Sequence, residues 1–191
     1  MKHSVFIGNF AQDINCSSLL SALSAQQGDV RTAEKPYEKE VDSSDPMLKS
    51  KLEIGDVWRK GGYLESSSVE WINYYGGVHF DNGVVETFSN LVNATPYNVW
   101  ISSMRPGKCV PLHWDIIKDY LKYKDDPRMV RYSFFFDTPN IGKLFVLKDE
   151  AYYMIEQGSV YKWNKWDEWH LGFNGGNKQA YMFHYIGLEN Q

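Results

Sequence analysis

The chain has 191 residues, of which 43% are hydrophobic and 16% aromatic, and a formal net charge of -4. That composition supports a packed core and excludes disorder over most of the length, and the size suits one domain over residues 1–191 better than two. No block of Lys or Arg interrupts the acidic balance, so the chain offers no basic face for phosphates and nucleic acid is not an expected partner.

Taken in chain order, Val5 to Phe10 predicts a short strand that runs into polar residues without a secretory pattern. Asn15 is a competent N-cap for a helix carrying Cys16, Leu19, Leu20 and Leu23 on one face. From Gly28 to Ser68 the chain is polar, with turn-rich pieces such as Asp42-Ser43-Ser44-Asp45-Pro46, and reads as loop with one short helix; its length would let it serve as a lid. Asp81-Asn82-Gly83 opens a second amphipathic helix with Val84, Val85, Phe88, Leu91 and Val92 on one face, ending before Thr95-Pro96. Residues 1–95 are therefore expected as a helical and loop support region. After Pro96, aromatic and β-branched runs broken by Gly, Pro, Asn and Asp predict strands at Tyr97 to Met104, Cys109 to Trp114, Val130 to Asp137, Lys143 to Leu147, Ala151 to Ile155, Ser159 to Trp163, Glu168 to Phe173 and Gln179 to Gly187. Helices followed by about eight short strands predict an α+β, mainly β fold, with a small barrel or jelly roll over residues 96–188. Cys16 and Cys109 suit neither a disulfide framework nor a metal knuckle, and no apolar run approaches the ~20 residues of a membrane helix, so a cytoplasmic protein away from the membrane is the expectation.

The chemistry concentrates in His113-Trp114-Asp115. On a strand, residues i and i+2 share a face, so His113 and Asp115 would present an imidazole and a carboxylate together while Trp114 turns away. His170, flanked by Trp169, Gly172 and Phe173, could be delivered from across a barrel as the third ligand. Two histidines and one carboxylate form the facial triad that leaves metal positions open, the arrangement of non-haem Fe(II) oxygenases. His79 and His3 have no partner at ligand spacing and read as packed or surface residues. His184, alternating with Met182 and Ile186, reads as an interior histidine, and Trp163, Trp166 and Trp169 read first as packing and second as a substrate mouth.

The order Pro106-Gly107, Pro111, His113, Asp115, then Arg131-Tyr132-Ser133-Phe134-Phe135-Phe136, then Gln157-Gly158-Ser159-Val160-Tyr161-Lys162-Trp163 and Trp169-His170-Leu171-Gly172 resembles the cupin-type 2-oxoglutarate/Fe(II) oxygenases, in particular the aspartyl/asparaginyl β-hydroxylase-like and small phage or bacterial hydroxylase-like members. The resemblance spans roughly Tyr97 to Gly187. It implies a double-stranded β-helix (jelly-roll/cupin) barrel with N-terminal helices packed on it. It also implies Fe(II) on His113, Asp115 and His170, with 2-oxoglutarate and dioxygen as co-substrates, and oxidative decarboxylation to succinate and CO2 coupled to hydroxylation of a substrate, either a protein side chain or a small molecule. The far carboxylate of 2-oxoglutarate needs a cation or strong donors. Arg131 stands where β-hydroxylase-like members carry an arginine, although Ser133 replaces their following histidine. Lys178 is the other choice, two residues short of the family's usual position, here Ala180. Tyr132, Ser133 and His184 are candidate hydroxyl or imidazole partners. Two alternatives stay open: a metal-binding cupin with another activity, and a non-catalytic ligand-binding barrel.

Overall fold

A computed structural model describes residues 2–33, 44, 46–117 and 119–191. Two antiparallel sheets face each other. The strands are β1 (Ser4–Asn9), β2 (Asp29–Thr32), β3 (Glu70–Tyr75), β4 (Ala94–Met104), β5 (Lys108–His113), β6 (Met129–Phe135), β7 (Lys143–Leu147), β8 (Glu150–Tyr153), β9 (Ser159–Trp163), β10 (His170–Asn174) and β11 (Ala180–Glu189). A seven-stranded sheet has the order β1-β9-β6-β11-β4-β3-β2, and a four-stranded sheet the order β5-β10-β7-β8. From β4 onward the chain alternates between the two, with only the β7–β8 hairpin staying in one sheet. That alternation is the jelly-roll connection of a cupin-like double-stranded β-helix.

Period-two patterning explains how one sheet serves two cores. Along β6, Val130, Tyr132 and Phe134 turn outward while Arg131, Ser133 and Phe135 turn between the sheets; along β11, Tyr181, Phe183 and Tyr185 oppose Met182, His184 and Ile186. The outward set packs under helices α1 (Cys16–Ser24) and α3 (Asn82–Val92). Phe88 of α3 is the keystone there: fully buried, with its ring 5.0 Å from Phe183 and 5.2 Å from Tyr185. Both helices begin as their sequences predict, with Asn15 Oδ1 accepting from the Ser18 amide and Asp81 Oδ1 from that of Gly83. A further core joins Ile54 and Trp58 of α2 (Leu48–Lys60) to Trp114, Ile117, Trp166 and Ile186. The last helix, α4 (Tyr120–Tyr123), is a single turn whose Tyr120 packs on Trp114.

The N-terminal part departs from the expected helical support. Within 28–68, expected as loop with one short helix, the chain forms β2 and the 13-residue helix α2; residues 34–43 and 45, which include part of the expected turn at Asp42–Pro46, lie outside the described residues. Strands β1, β2 and β3 extend both edges of the large sheet. Strand β1 matches the strand expected from Val5, whereas β2, with intermediate exposure at every position, lacks the alternating apolar pattern by which a strand is read. None of the described helices is long and apolar enough to cross a membrane.

Candidate metal centre

Register brings the three ligand candidates together. Strands β5 and β10 pair with His170 opposite His113, and a bulge lies between His170 and Gly172. Asp115 falls two residues beyond the end of β5, so its carboxylate reaches the cavity from a turn out of the strand rather than from the ladder itself. Trp114 points the other way, into the Tyr120 and Ile117 cluster. One ligand atom from each of His113, Asp115 and His170 lies within 4.8 Å of the others.

Hydrogen bonding fixes which imidazole nitrogens face inward. His113 Nδ1 is 2.7 Å from the Pro111 carbonyl oxygen, and His170 Nδ1 is 3.0 Å from that of Glu168. A carbonyl only accepts, so each Nδ1 carries the proton and each Nε2 keeps a lone pair. Those two Nε2 atoms stand 3.6 Å from Asp115 Oδ1 and 3.3 Å from Asp115 Oδ2 respectively. Two imidazoles and a carboxylate converging this way are the donor set of a borderline-hard divalent cation, and they fit Fe(II).

Arg131 governs the electrostatics. It is completely buried, its Nη2 lies 2.7 Å from Asp115 Oδ2, and its guanidinium sits 3.8 Å over the Trp163 ring. Burial alone would raise the Asp115 pKa, yet Arg131 and His170 outweigh it and hold the carboxyl well below its ordinary value. Burial lowers His170 to about 4, reinforced by His113 and Arg131. His184 is likewise pushed well below its ordinary value by burial and then by Arg131. Asp115 is thus held ionised and His170 neutral, the protonation states in which each can bind a metal.

The remaining predicted residues separate. Arg131 Nη2 also donates to His184 Nδ1 at 3.2 Å. Because a guanidinium only donates, His184 must carry its proton on Nε2, which donates 2.7 Å to Ser102 Oγ. The Ser102 hydroxyl hydrogen is left free to point elsewhere. His184 is held in place by stacking on Trp100 at 4.6 Å. Ser133 accepts from Trp163 Nε1 at 3.0 Å beneath the guanidinium, and Tyr132 faces the opposite core under α3. The structure does not bring Lys178 to the centre: it is exposed near Asn140 and Gly176, and its carbonyl oxygen accepts from Asn174. Among the other residues singled out, His79 Nδ1 accepts from the Tyr75 amide, His3 Nε2 lies 2.8 Å from Asp149, and Trp166 packs against Tyr120.

A cavity of about 250 Å³ opens on the triad, lined by His113, Asp115 and His170 on one side and by Trp100, Ser102 and His184 on the other. Sequence reasoning missed Ser102, although Asn98, Trp100, Ser102 and Met104 alternate on the inward face of β4 and all line this space. It also missed Arg31 and Asn73, which line the cavity from the added strands β2 and β3.

Neither a protein-family model nor a curated protein matches the sequence. Solved structures do match in shape. An oxidoreductase of the 2OG-Fe(II) oxygenase family from Burkholderia pseudomallei superposes with a TM-score of 0.55 at 9% identity, over 99% of this chain and 89% of that one. A viral collagen prolyl hydroxylase from Paramecium Bursaria Chlorella virus-1, in its 2OG complex, superposes with a TM-score of 0.50 at 14% identity, over 100% of this chain and 97% of that one. At such identities the likeness is one of fold alone, the jelly roll built by strands that alternate between two sheets.

Proposed function

We propose that the protein is a non-haem Fe(II) and 2-oxoglutarate-dependent dioxygenase that hydroxylates its substrate and releases succinate and CO2. The observation that carries this reading is the convergence of His113 Nε2, His170 Nε2 and the Asp115 carboxylate on the wall of one cavity. When bound there, Fe(II) with 2-oxoglutarate and dioxygen supplies the oxidising power for breaking a C–H bond. The protein's own residues hold and orient. The carbonyls of Pro111 and Glu168 fix the two imidazoles, and Arg131 pairs with Asp115 Oδ2 and so holds the carboxylate in place. Ser102 would hold the far carboxylate of 2-oxoglutarate through its hydroxyl, whose donor direction is set by Arg131 through His184. Arg131 therefore acts at one remove, and Lys178 has no part. The apolar lining from Val110, Phe145 and Met182 excludes water from that end.

An anaerobic titration with Fe(II) and 2-oxoglutarate tests the reading. A weak visible charge-transfer band that disappears in His113→Ala is the expected result. One observation favours a second reading, a metal-dependent cupin that uses no keto acid: Arg131 is sealed behind Asp115 instead of lining the cavity. Metal binding with no band on adding 2-oxoglutarate would select it.

A further inference from the structure

The roles given to the triad and to Ser102 leave the outer strands of the facing sheet without a purpose. That wall is extended by β2 and β3, which lie outside the alternating barrel connections, and they contribute Arg31, Trp71, Asn73 and Tyr75 to the lining. Arg31 is the only guanidinium or ammonium group among the described residues that line the space. Its Nη2 pairs with Asp29 and reaches the Tyr75 hydroxyl at 3.4 Å, which leaves the Nε edge; Nε is shielded from solvent and has no hydrogen-bond partner among the described residues. Asn73 Oδ1 is in the same condition.

A buried donor without an acceptor is costly, and a guest that satisfies it recovers that cost on binding. The unclaimed Nε–H suits a carboxylate oxygen, and the Asn73 amide can turn to offer Nδ2 to the same group. Asp29 offsets part of the charge, but its side chain is half exposed and engages Nη2, leaving the Nε hydrogen unclaimed. Trp71, Tyr75 and Trp100 give the remainder of the wall flat apolar faces. Asn73 is the direct cross-strand partner of Ser102 and so lies between the two ends, whereas Arg31 pairs with Trp71 one strand further out, on the order of 10 Å from Ser102. Arg31 is therefore placed to serve a molecule other than the one held at the Ser102 end.

We propose that Arg31 and Asn73 form the substrate subsite, holding the carboxylate of a substrate whose apolar or aromatic body lies along Trp71, Tyr75 and Trp100 and so faces the His113, Asp115 and His170 end. This rests on reading the cavity as an active site, but it concerns the substrate and not the co-substrate.

The test uses the metal-free protein and a matched pair of probes, 3-phenylpropanoate and 3-phenylpropanamide, followed through the indole N–H resonances of Trp71 and Trp100. The carboxylate is expected to shift both signals and the amide to do so at least about tenfold more weakly. Arg31→Gln should abolish the difference, Arg31→Lys should restore part of it, and His113→Ala should leave it intact. In parallel, Arg31→Gln should leave the half-saturating 2-oxoglutarate concentration of the Fe(II) charge-transfer band unchanged. The proposal is overturned if neither probe shifts the signals up to about 10 mM, a ceiling of weak affinity, if the amide binds as well as the acid, or if Arg31→Gln retains the preference. Loss of the preference in His113→Ala would place the carboxylate at the triad, and loss of the 2-oxoglutarate band in Arg31→Gln would make Arg31 a co-substrate anchor; either also overturns it. Absence of the band in the unmodified protein, with the probe result intact, would fault the oxygenase reading alone.

Discussion

Arg131 is a buried cation whose partners are also the atoms a metal needs, so its removal should be felt twice. Arg131→Met leaves the Asp115 carboxylate enclosed without its counter-charge, for which a loss of about 3–5 kcal/mol is typical. Urea unfolding of the apo-protein should show that loss, and metal addition should recover part of it. Ser102→Ala is milder: it deletes one hydroxyl at the end of the Arg131 and His184 chain and should raise half-saturating 2-oxoglutarate about tenfold, read from the charge-transfer band, while leaving metal affinity unchanged. The histidines give a pH signature. His170, near 6.5 when unfolded, is lowered to about 4 in the folded protein, so the folded state takes up its proton later than the unfolded state as pH falls. The stability it contributes is present above pH 6.5 and is lost progressively between pH 6.5 and 4, by about 3 kcal/mol. His184 is shifted in the same direction and adds to the loss over the same descent. Melting temperatures of the apo-protein from pH 7.5 to 4 check this, and a flat profile above pH 5 would contradict it.

Elements hold these residues in register, and the helix α3 shows how. Phe88 fills the space between α3 and the outer face of β6 and β11, so Phe88→Ala should cost about 3–5 kcal/mol and loosen the sheet that carries Arg131 and His184. Gly158 joins β8 to β9 with φ at +95°, and a Cβ there would meet the Ala11 amide at 2.8 Å. These features were unequally legible. The capped amphipathic helices and the strands after Pro96 follow from period and turn chemistry, because each buries one regular face. Strand β2 did not, since its residues are half-buried throughout and give no alternation, and with it Arg31 was hidden in apparent loop. The candidate metal ligands were visible because His113 and Asp115 are neighbours in sequence and their chemistry needs only a third donor. The role of Arg131 was not, because choosing between Asp115 and a co-substrate carboxylate depends on depth behind the ligands, which spacing does not encode. Lys178 failed for a related reason: its segment is a turn of Gly and Asn that swings outward before β11 begins.

At the scale of the whole molecule, the two sheets are tied by contacts that a metal would reinforce. His113 and His170 belong to neighbouring strands of the small sheet, whereas Arg131, which grips Asp115, belongs to the large one. A second tie lies at the opposite end of β6, where Lys143 of β7 bonds Asp137 at 2.5 Å and the Tyr181 carbonyl of β11 at 2.8 Å. A cation drawn to the Asp115 cluster therefore bridges β5 and β10 directly and the large sheet through Arg131. Binding to the folded state alone adds about 2.7 kcal/mol at a hundredfold excess over Kd, which for a chain of this size raises Tm by several degrees. Mn(II) or Zn(II) in place of Fe(II) should produce the same rise without turnover, because the effect depends on the donor set and not on redox chemistry. His113→Ala and Asp115→Ala should each abolish it, while Lys143→Met should lower Tm but leave the metal-induced increment intact, since Asp137 and Lys143 lie outside the ligand cluster. Calorimetry of the four proteins with and without metal separates the two ties. If the increment survives in His113→Ala, the cation binds elsewhere and the triad has no claim to it.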